Sequence, residues 1–483
     1  MLALYIATRA NRLRLNEDPR FTNPQYGWGW LEMVAILRRA YGYYLGHLVG
    51  RKLLAQLHDI VNFTPAVTDS RMGPDEWINT ENGAFKIDFE QHAFGAPELD
   101  IVDAAYDLAG ATFEFQLSDE AEEQLLYTYG KTSGDNLVGD RLLLYKLLYG
   151  TVVMRKAAEG VQRLSRRRVR EDGNERYIRA RSFLTHTLNQ FTASALPHPL
   201  KAEWMDKIFF LDLDGVFDGE VLGFPHTTLS GIQSLACLAV NGWSVVLNTG
   251  RSIEQVRSYC ASYGLPGGVA EYGSVFVDNV QHRELPLINS KGYTELERCR
   301  AALTELPDVF IDPEYRYSVR AYRFNGHRTA GLSYEEVADV LSRHDLGMLT
   351  IIPRNEDTTI VQRGTGKGAG VRFVKDYLQS SPNVVVVIGD SDEDIDMMKE
   401  ADIVFAPRNC SAEIRYLAKA VGWKVLRRSR QKGLLQAVKS INDLRRVKRY
   451  DFLTSPGDGY PVKKLMFKLI EVAEKPRLLR ILY

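Results

Sequence analysis

Residues 209–220 read FFLDLDGVFDGE. With Ile208 in front, the stretch opens as a run of large apolar side chains, the texture of a strand covered on both faces. Asp212 and Asp214 follow, one residue apart, with Gly215 behind them. Residues i and i+2 of a strand point the same way. Two carboxylates therefore meet at the mouth of an apolar strand, where they repel and raise each other's pKa. Such a pair requires solvent, a cation or a chemical task.

The sequence around this strand alternates between strand-like and helix-like texture. LSGIQSLACLAVNG (229–242) predicts a helix with Leu229, Ile232, Leu235, Ala236 and Ala239 on one face, ended by Asn241-Gly242. WSVVLNTGR (243–251) reads as a second apolar strand, and SIEQVRSYCASYG (252–264) as a helix stopped by Gly264. Further on, VRFVKDYLQ is a helix, NVVVVIGDSD a strand and DIDMMKEA a helix. Near-continuous Val/Ile strands separated by such helices predict an α/β, Rossmann-like core with a parallel sheet. Between the two groups, 283–361 has a different texture: YRYSVRAYRF is strand-like, SYEEVADVLSRH helical, and LGMLTIIPR with DTTIVQR an antiparallel pair. This reads as a small α+β insertion within a core of 206–282 and 362–425. Residues 1–195 read as a mostly α-helical domain, and Pro197 and Pro199 mark a linker at 196–205. Residues 426–483 form a basic helical tail, whose charges are expected on a solvated face.

A chain of 483 residues is too long for one typical core. Hydrophobic content of 45% and charged content of 25% are those of a globular protein. Lys+Arg and Asp+Glu are equal at 61 each, so no global charge draws the chain to nucleic acid or membrane. Cys237, Cys260, Cys299 and Cys410 lie far apart without ligand spacing, which predicts reduced thiols and a cytoplasmic location. The apolar N-terminus lacks the basic region and cleavage site of a signal peptide, and 27–50 is too polar to span a bilayer. Oligomeric state is left open.

Open parallel sheets place their sites at strand ends. Three predicted strand ends carry polar groups: Asp212-Leu213-Asp214-Gly215, Asn248-Thr249-Gly250-Arg251, and Gly389-Asp390-Ser391-Asp392-Glu393-Asp394. One helix start, Gly364-Thr365-Gly366-Lys367-Gly368, joins them. In this order, on these elements, the four resemble the motifs of the haloacid dehalogenase-like hydrolase superfamily over about 206–420. The resemblance implies a phosphatase of small phosphorylated metabolites, and of sugar phosphates in particular. Asp212 would be the nucleophile, forming an aspartyl-phosphate. Asp214 would be general acid and then base. Lys367 would neutralise the phosphoryl oxygens, while Thr249 and the N–H of Gly250 would hydrogen-bond them. Asp212, Asp390 and the carbonyl of Asp214 would bind Mg²⁺, with Asp394 nearby. Arg251 would bind phosphate or pair with an acid. Glu393 departs from the family's pattern, which has Asn there. Asp218, Asp392 and Asp396 read as solvated acids. The position of the insertion resembles a C2-type cap of the IIB subclass, as in sucrose-phosphate, mannosyl-phosphoglycerate and Cof-type phosphatases. Glu271, Tyr272, Arg320, Arg323 and Arg354 are candidate specificity residues.

A partial resemblance concerns the N-terminal region. TDSRMGPDEWI, with Asp69, and KIDFEQHAFGAPELD, with Asp88, resemble the catalytic loop and metal-binding strand of aminoglycoside-phosphotransferase-like kinases. Pro74 stands where those kinases have Asn, and no Gly-rich hairpin or strand Lys precedes Asp69. Only a kinase-like C-lobe is expected, so phosphotransfer and a regulatory or scaffold role are the alternative functions.

Overall fold

The computed structural model describes residues 1–16, 28–81, 83–87, 102–163, 166–196, 200–378, 382–442, 460–476 and 479–480. Two compact units emerge: Met1–Val153 with Val221–Gly223 and Leu453–Tyr483, and Met154–Glu220 with Phe224–Phe452. No helix among the described residues is long and apolar enough to cross a membrane.

The first unit is mainly helical. It contains α1 (Leu2–Arg12), α2 (Trp28–Leu37), α3 (Tyr43–Ile60), a hairpin of β1 (Trp77–Thr80) and β2 (Gly83–Lys86), α4 (Ala105–Glu114) and α5 (Asp119–Ser133). The next helix, α6 (Val138–Arg163), carries the division between the units. Asp69 has its carboxylate occupied: Lys86 Nζ lies 3.0 Å from Oδ1, and the Tyr5 hydroxyl donates to Oδ2. Asp107 accepts from the backbone N–H of Asp69 (2.9 Å) and of Ser70 (2.7 Å), which holds Ser70 at φ 62°. The expected metal-binding strand around Asp88 lies outside the described residues.

The second unit is built on an eight-stranded sheet in the order β15-β14-β13-β3-β4-β5-β6-β7. Its strands are β3 (Lys207–Leu211), β4 (Trp243–Asn248), β5 (Gly267–Ala270), β6 (Val275–Asp278), β7 (Arg283–Pro286), β13 (Val384–Ile388), β14 (Ile403–Ala406) and β15 (Lys424–Val425). The pairings from β15 to β5 are parallel, and β6 and β7 add antiparallel edges. Side-chain alternation divides β3 between two cores. Phe209 and Leu211 join one with α8 (Leu229–Val240) and α9 (Ile253–Tyr263). Ile208 and Phe210 join the other with α12 (Lys367–Tyr377) and α13 (Ile395–Met398). Each such fully buried side chain stabilises the fold by about 1.5–3 kcal/mol.

The insertion is a five-stranded sheet of β8 (Phe310–Ile311), β9 (Val319–Asn325), β10 (Arg328–Ala330), β11 (Leu349–Pro353) and β12 (Thr358–Gln362). It is covered by α10 (Ser290–Thr304) and α11 (Tyr334–Arg343). Its two connections to the core meet where the N–H of Asn289 donates to Gln362 Oε1 at 3.0 Å.

Several boundaries differ from expectation. β7 extends the core sheet, so the insertion starts after 286 rather than at 283. The helix before the linker, α7 (Arg167–Ala193), falls within the second unit rather than in a 1–195 domain. It touches both parts of that unit. On the cap, the Tyr322 hydroxyl donates to Asn174 Oδ1 (2.6 Å) and Ser182 Oγ to Glu314 Oε1 (2.7 Å). On the core, His186 Nδ1 lies 2.9 Å from Ser258 Oγ, and Thr192 Oγ1 lies 2.7 Å from Tyr263 Oη. Pro197 and Pro199 lie outside the described residues. The basic tail is not uniformly solvated. After α14 (Ala412–Val421), α15 (Arg430–Ile441) buries Leu434, Ala437 and Val438 in the second unit's core. In the first unit, α16 (Pro461–Glu474) is capped by Asp140, which accepts from the N–H of Val462 and of Lys463 at 2.9 Å each.

Two measurable consequences follow from these buried polar contacts. Tyr322→Phe removes the hydroxyl from Asn174 and should lower the unfolding stability of the second unit by roughly 1–2 kcal/mol in denaturant titration. Burial, reinforced by Asp69, raises the pKa of Asp107 from 3.8 to about 7 against the two N–H donors and Arg9. The folded state then binds the proton more tightly than the unfolded state. Its stabilising effect is fully present below about pH 4 and disappears as pH rises through about 7, a change on the order of a few kcal/mol. Asp107→Asn should flatten that part of the stability–pH profile.

Candidate active site

Strand register sets the site. Leu211 of β3 pairs with Leu247 of β4 on one side and Ile388 of β13 on the other. Asp212, Asn248 and Gly389 therefore sit level at the carboxyl edge, and the three polar segments turn out over it. Asn248 Nδ2 donates to the carbonyl of Lys367 at 2.8 Å, which brings the first residue of α12 to the same edge. Asp396, expected to be solvated, accepts from the N–H of Gly368 at 2.8 Å and fastens that first turn.

Lys367 Nζ lies 2.7 Å from Asp212 Oδ1 and 2.5 Å from Asp394 Oδ1, with all three side chains buried. The second oxygen of Asp394 accepts from the N–H groups of Asp390 (2.8 Å) and Ser391 (2.9 Å) and from Ser391 Oγ (3.0 Å). Asp394 thus positions both the lysine and the loop bearing Asp390. Asp212, Asp390 and Asp394 each offer an oxygen, all within 4.8 Å of one another. Burial and then Asp394 push the pKa of Asp212 well up, against Lys367. The same two causes raise Asp390 to about 7. One lysine does not balance three carboxylates, and an all-oxygen donor set with surplus negative charge fits a hard divalent cation such as Mg²⁺.

Gly215 has φ 83°, and a Cβ there would fall 2.1 Å from Asp390 Oδ2. Asn409, which the motif reading missed, bridges the pair: its Nδ2 donates to Gly215 O (2.9 Å) and to Asp390 Oδ2 (2.7 Å). Its only sequence signal is a position shortly after an apolar strand, β14.

Asp214 does not share the lysine with Asp212. It has its own cation: Arg251 Nε is 3.1 Å from Oδ2 and Nη2 is 2.5 Å from Oδ1. Arg251 also donates to Tyr259 Oη (2.6 Å) and lies 2.9 Å from Asp218 Oδ2, and Tyr259 in turn donates to Asp218. Of the two expectations for Arg251, pairing with acids is the one present. Asp218 is buried at 2% exposure rather than solvated, and burial raises it to about 6. Asp214 is walled by protein yet 54% exposed to the cavity. Enclosure by itself pushes its pKa up, but Arg251, with Arg354 and Lys367 behind, holds it below the ordinary carboxylate range.

Thr249 is buried and is not among the cavity-lining residues, unlike Gly250 and Arg251. Its hydroxyl accepts from the N–H of Arg251 at 3.3 Å, and its carbonyl from that of Tyr272 at 3.2 Å. A Cβ on Gly250 would lie 2.2 Å from the Tyr272 ring. Glu271 and Tyr272 both adopt left-handed backbone, φ 50° and 54°, a strain of order 1–3 kcal/mol each. Glu271 offsets it by accepting from the N–H of Arg316 (3.0 Å) and of Tyr317 (2.8 Å) and from Ser318 Oγ (2.8 Å), which ties core to cap. It does not line the cavity.

The cavity above these groups has a volume of about 310 Å³. Tyr272, Arg320 and Arg354 line it, whereas Arg323 pairs with Glu336 elsewhere on the cap. Arg320 is held by Asp312 (2.6 Å) and Asp357 (2.8 Å). Arg354 lies over the Tyr272 ring and 3.3 Å from Glu393, the residue that replaces the family's Asn. Asp392 is exposed and accepts from Ser411 Oγ at 2.5 Å.

A family model described as haloacid dehalogenase-like hydrolase matches residues 348–437. A phosphoglycolate phosphatase of Methanopyrus kandleri is 26% identical over 226 residues, covering 45% of this chain and 90% of that protein. One of Methanosarcina acetivorans is 26% identical over 222 residues, covering 44% and 89%. The solved sucrose-phosphatase of Synechocystis, in complex with sucrose and phosphate, aligns with 49% of this chain and 98% of its own, with 14% identity and a TM-score of 0.38. With four motifs meeting at one sheet edge, the C-terminal region of the chain is similar to haloacid dehalogenase-like hydrolases, and its relatives support a phosphatase.

Proposed function

We propose that the chain is a Mg²⁺-dependent phosphatase that hydrolyses a small phosphomonoester, such as a sugar phosphate, through an aspartyl-phosphate on Asp212. The observation that carries this reading is the Lys367 ammonium held between Asp212 and Asp394 at the joined ends of β3 and β13. Asp212 and Asp390, with the carbonyl of Asp214 and Asp394 alongside, would hold the metal. When bound, it supplies the positive charge that lets a phosphate dianion approach these carboxylates.

A free oxygen of Asp212 attacks phosphorus as the bond to the leaving alkoxide breaks. Lys367 and the N–H of Gly250 serve the phosphoryl oxygens, while Thr249, expected to join them, lies buried behind the cavity wall. The Thr249 hydroxyl accepts from the N–H of Arg251 and so steadies the turn that presents Gly250. Asp214 passes a proton to the alkoxide, then takes one from the water that splits the acyl phosphate, freeing phosphate and Asp212. To carry that proton Asp214 must release Arg251. Asp218 and Tyr259 keep the guanidinium partnered when it does.

In a panel of sugar phosphates together with phosphoglycolate, the substrate named for the two relatives, the wild-type chain should release phosphate from at least one member. Asp212→Asn should reduce kcat at least ~1,000-fold. A variant with full activity, or a wild type inactive on the whole panel, would refute the reading. Chelation with EDTA should abolish turnover and added Mg²⁺ restore it. Mg²⁺ should also raise the melting temperature of the wild type, and much less that of Asp390→Asn.

A further inference from the structure

Five cations line the catalytic cavity: Arg181, Arg251, Arg320, Arg354 and Lys367. Four are paired with carboxylates, as described above. Arg181 differs: among the described residues it makes no hydrogen bond and no ion pair. Glu220 and Tyr322 are near enough to feel its charge. Neither closes to an ion pair or hydrogen bond with it.

Arg181 reaches the cavity from α7, outside both core and cap. Thr185, four residues later on the same helical face, lines the cavity as well. Contacts flanking Arg181 fasten this helix. Asn174 and Ser182 bond to the cap, and His186 to the core. The guanidinium is therefore presented from a backbone fixed at both ends, with its donors uncommitted. An enclosed arginine left without a counter-ion is a site for an oxyanion. The reacting phosphate has its own cation in Lys367, at the sheet edge.

We propose that Arg181 is a specificity-determining residue that binds a second oxyanion, a carboxylate or a second phosphate, on the part of the substrate that leaves. This rests on the phosphatase reading above and adds the chemical class of the leaving group. A phosphoester whose leaving group bears a charge would fill the cavity with its phosphate at Lys367 and its second anion at Arg181. A neutral alcohol would leave the guanidinium unmatched.

The test compares kcat/KM, with Mg²⁺ present, for phosphoglycolate, a sugar bisphosphate, glycerol phosphate and p-nitrophenyl phosphate. At least one substrate with a second anion should exceed both of the others by roughly tenfold or more in the wild type. Arg181→Gln should lower that value roughly 10- to 100-fold, mainly through KM, and leave p-nitrophenyl phosphate within about twofold. Arg181→Lys should recover part of the loss. Preference for phosphoglycolate identifies the anion as carboxylate, and preference for the bisphosphate identifies it as phosphate. Equal losses on all four substrates, or no preference in the wild type, would overturn the proposal while leaving the phosphatase reading intact. Inactivity of the wild type on all four would remove both. Melting temperatures of the two variants separate a folding defect from lost recognition. If Arg181→Gln is unstable, Arg181→Lys decides: unchanged kcat/KM ratios among the four substrates would refute the assignment.

Discussion

The active region of this chain depends on one buried ammonium group. Lys367 Nζ joins Asp212 at the end of β3 to Asp394 beyond β13, and without it three carboxylates would face one another in a low-dielectric pocket. The surrounding structure serves that contact. Parallel register brings the strand ends level, Asn248 and Asp396 fix the first turn of α12, and Asp394 spends its other oxygen on the loop of Asp390. Burying a charge is costly unless it is paired and hydrogen-bonded. Here Lys367 meets Asp212 and Asp394, while Asp390 has only the amide of Asn409 among the described residues, so the surplus is negative. A bound cation would offset that surplus.

Each of the two aspartates that open the site has its own counter-charge. Asp212 takes the lysine and Asp214 takes Arg251. The same-side geometry of a strand puts them close, but the turn at Gly215 lets their carboxylates separate toward different partners. This separation gives them different chemistry. Asp212 is held close to the other acids, whereas Asp214 sits at the cavity wall, where an arginine with two further partners can take it up and release it.

The motifs were legible because each lies where a hydrophobic run stops, and the run itself marks the strand. The parallel core, the α+β insertion and the β11–β12 pair follow from periodicity alone. The roles of single acids were not legible. Asp218 and Asp396 look like solvated loop residues in the sequence, yet one is buried beneath Arg251 and the other holds a helix start. Nothing in their neighbours distinguishes these fates, since both are settled by contacts with residues tens of positions away. The place of α7 was hidden for a similar reason. Its sequence records that it is a helix but not which unit it joins, so Arg181 and Thr185 gave no sign of facing the site. Asn409 likewise belongs to no motif and bridges the Gly215 carbonyl to the Asp390 carboxylate.

Asn409 also bears on how far the catalytic domain extends. Its side-chain oxygen accepts from the N–H of Arg430 at 2.8 Å, at the start of α15, while its nitrogen steadies Gly215 and Asp390. The same helix closes one face of the sheet with Leu434, Ala437 and Val438. A catalytic fragment cut at 425, where the strand-and-helix alternation ends, would retain the four motifs but expose that face and loosen the asparagine. A fragment meant to keep the contacts of this site would therefore need to run through Ile441 and begin early enough to include α7.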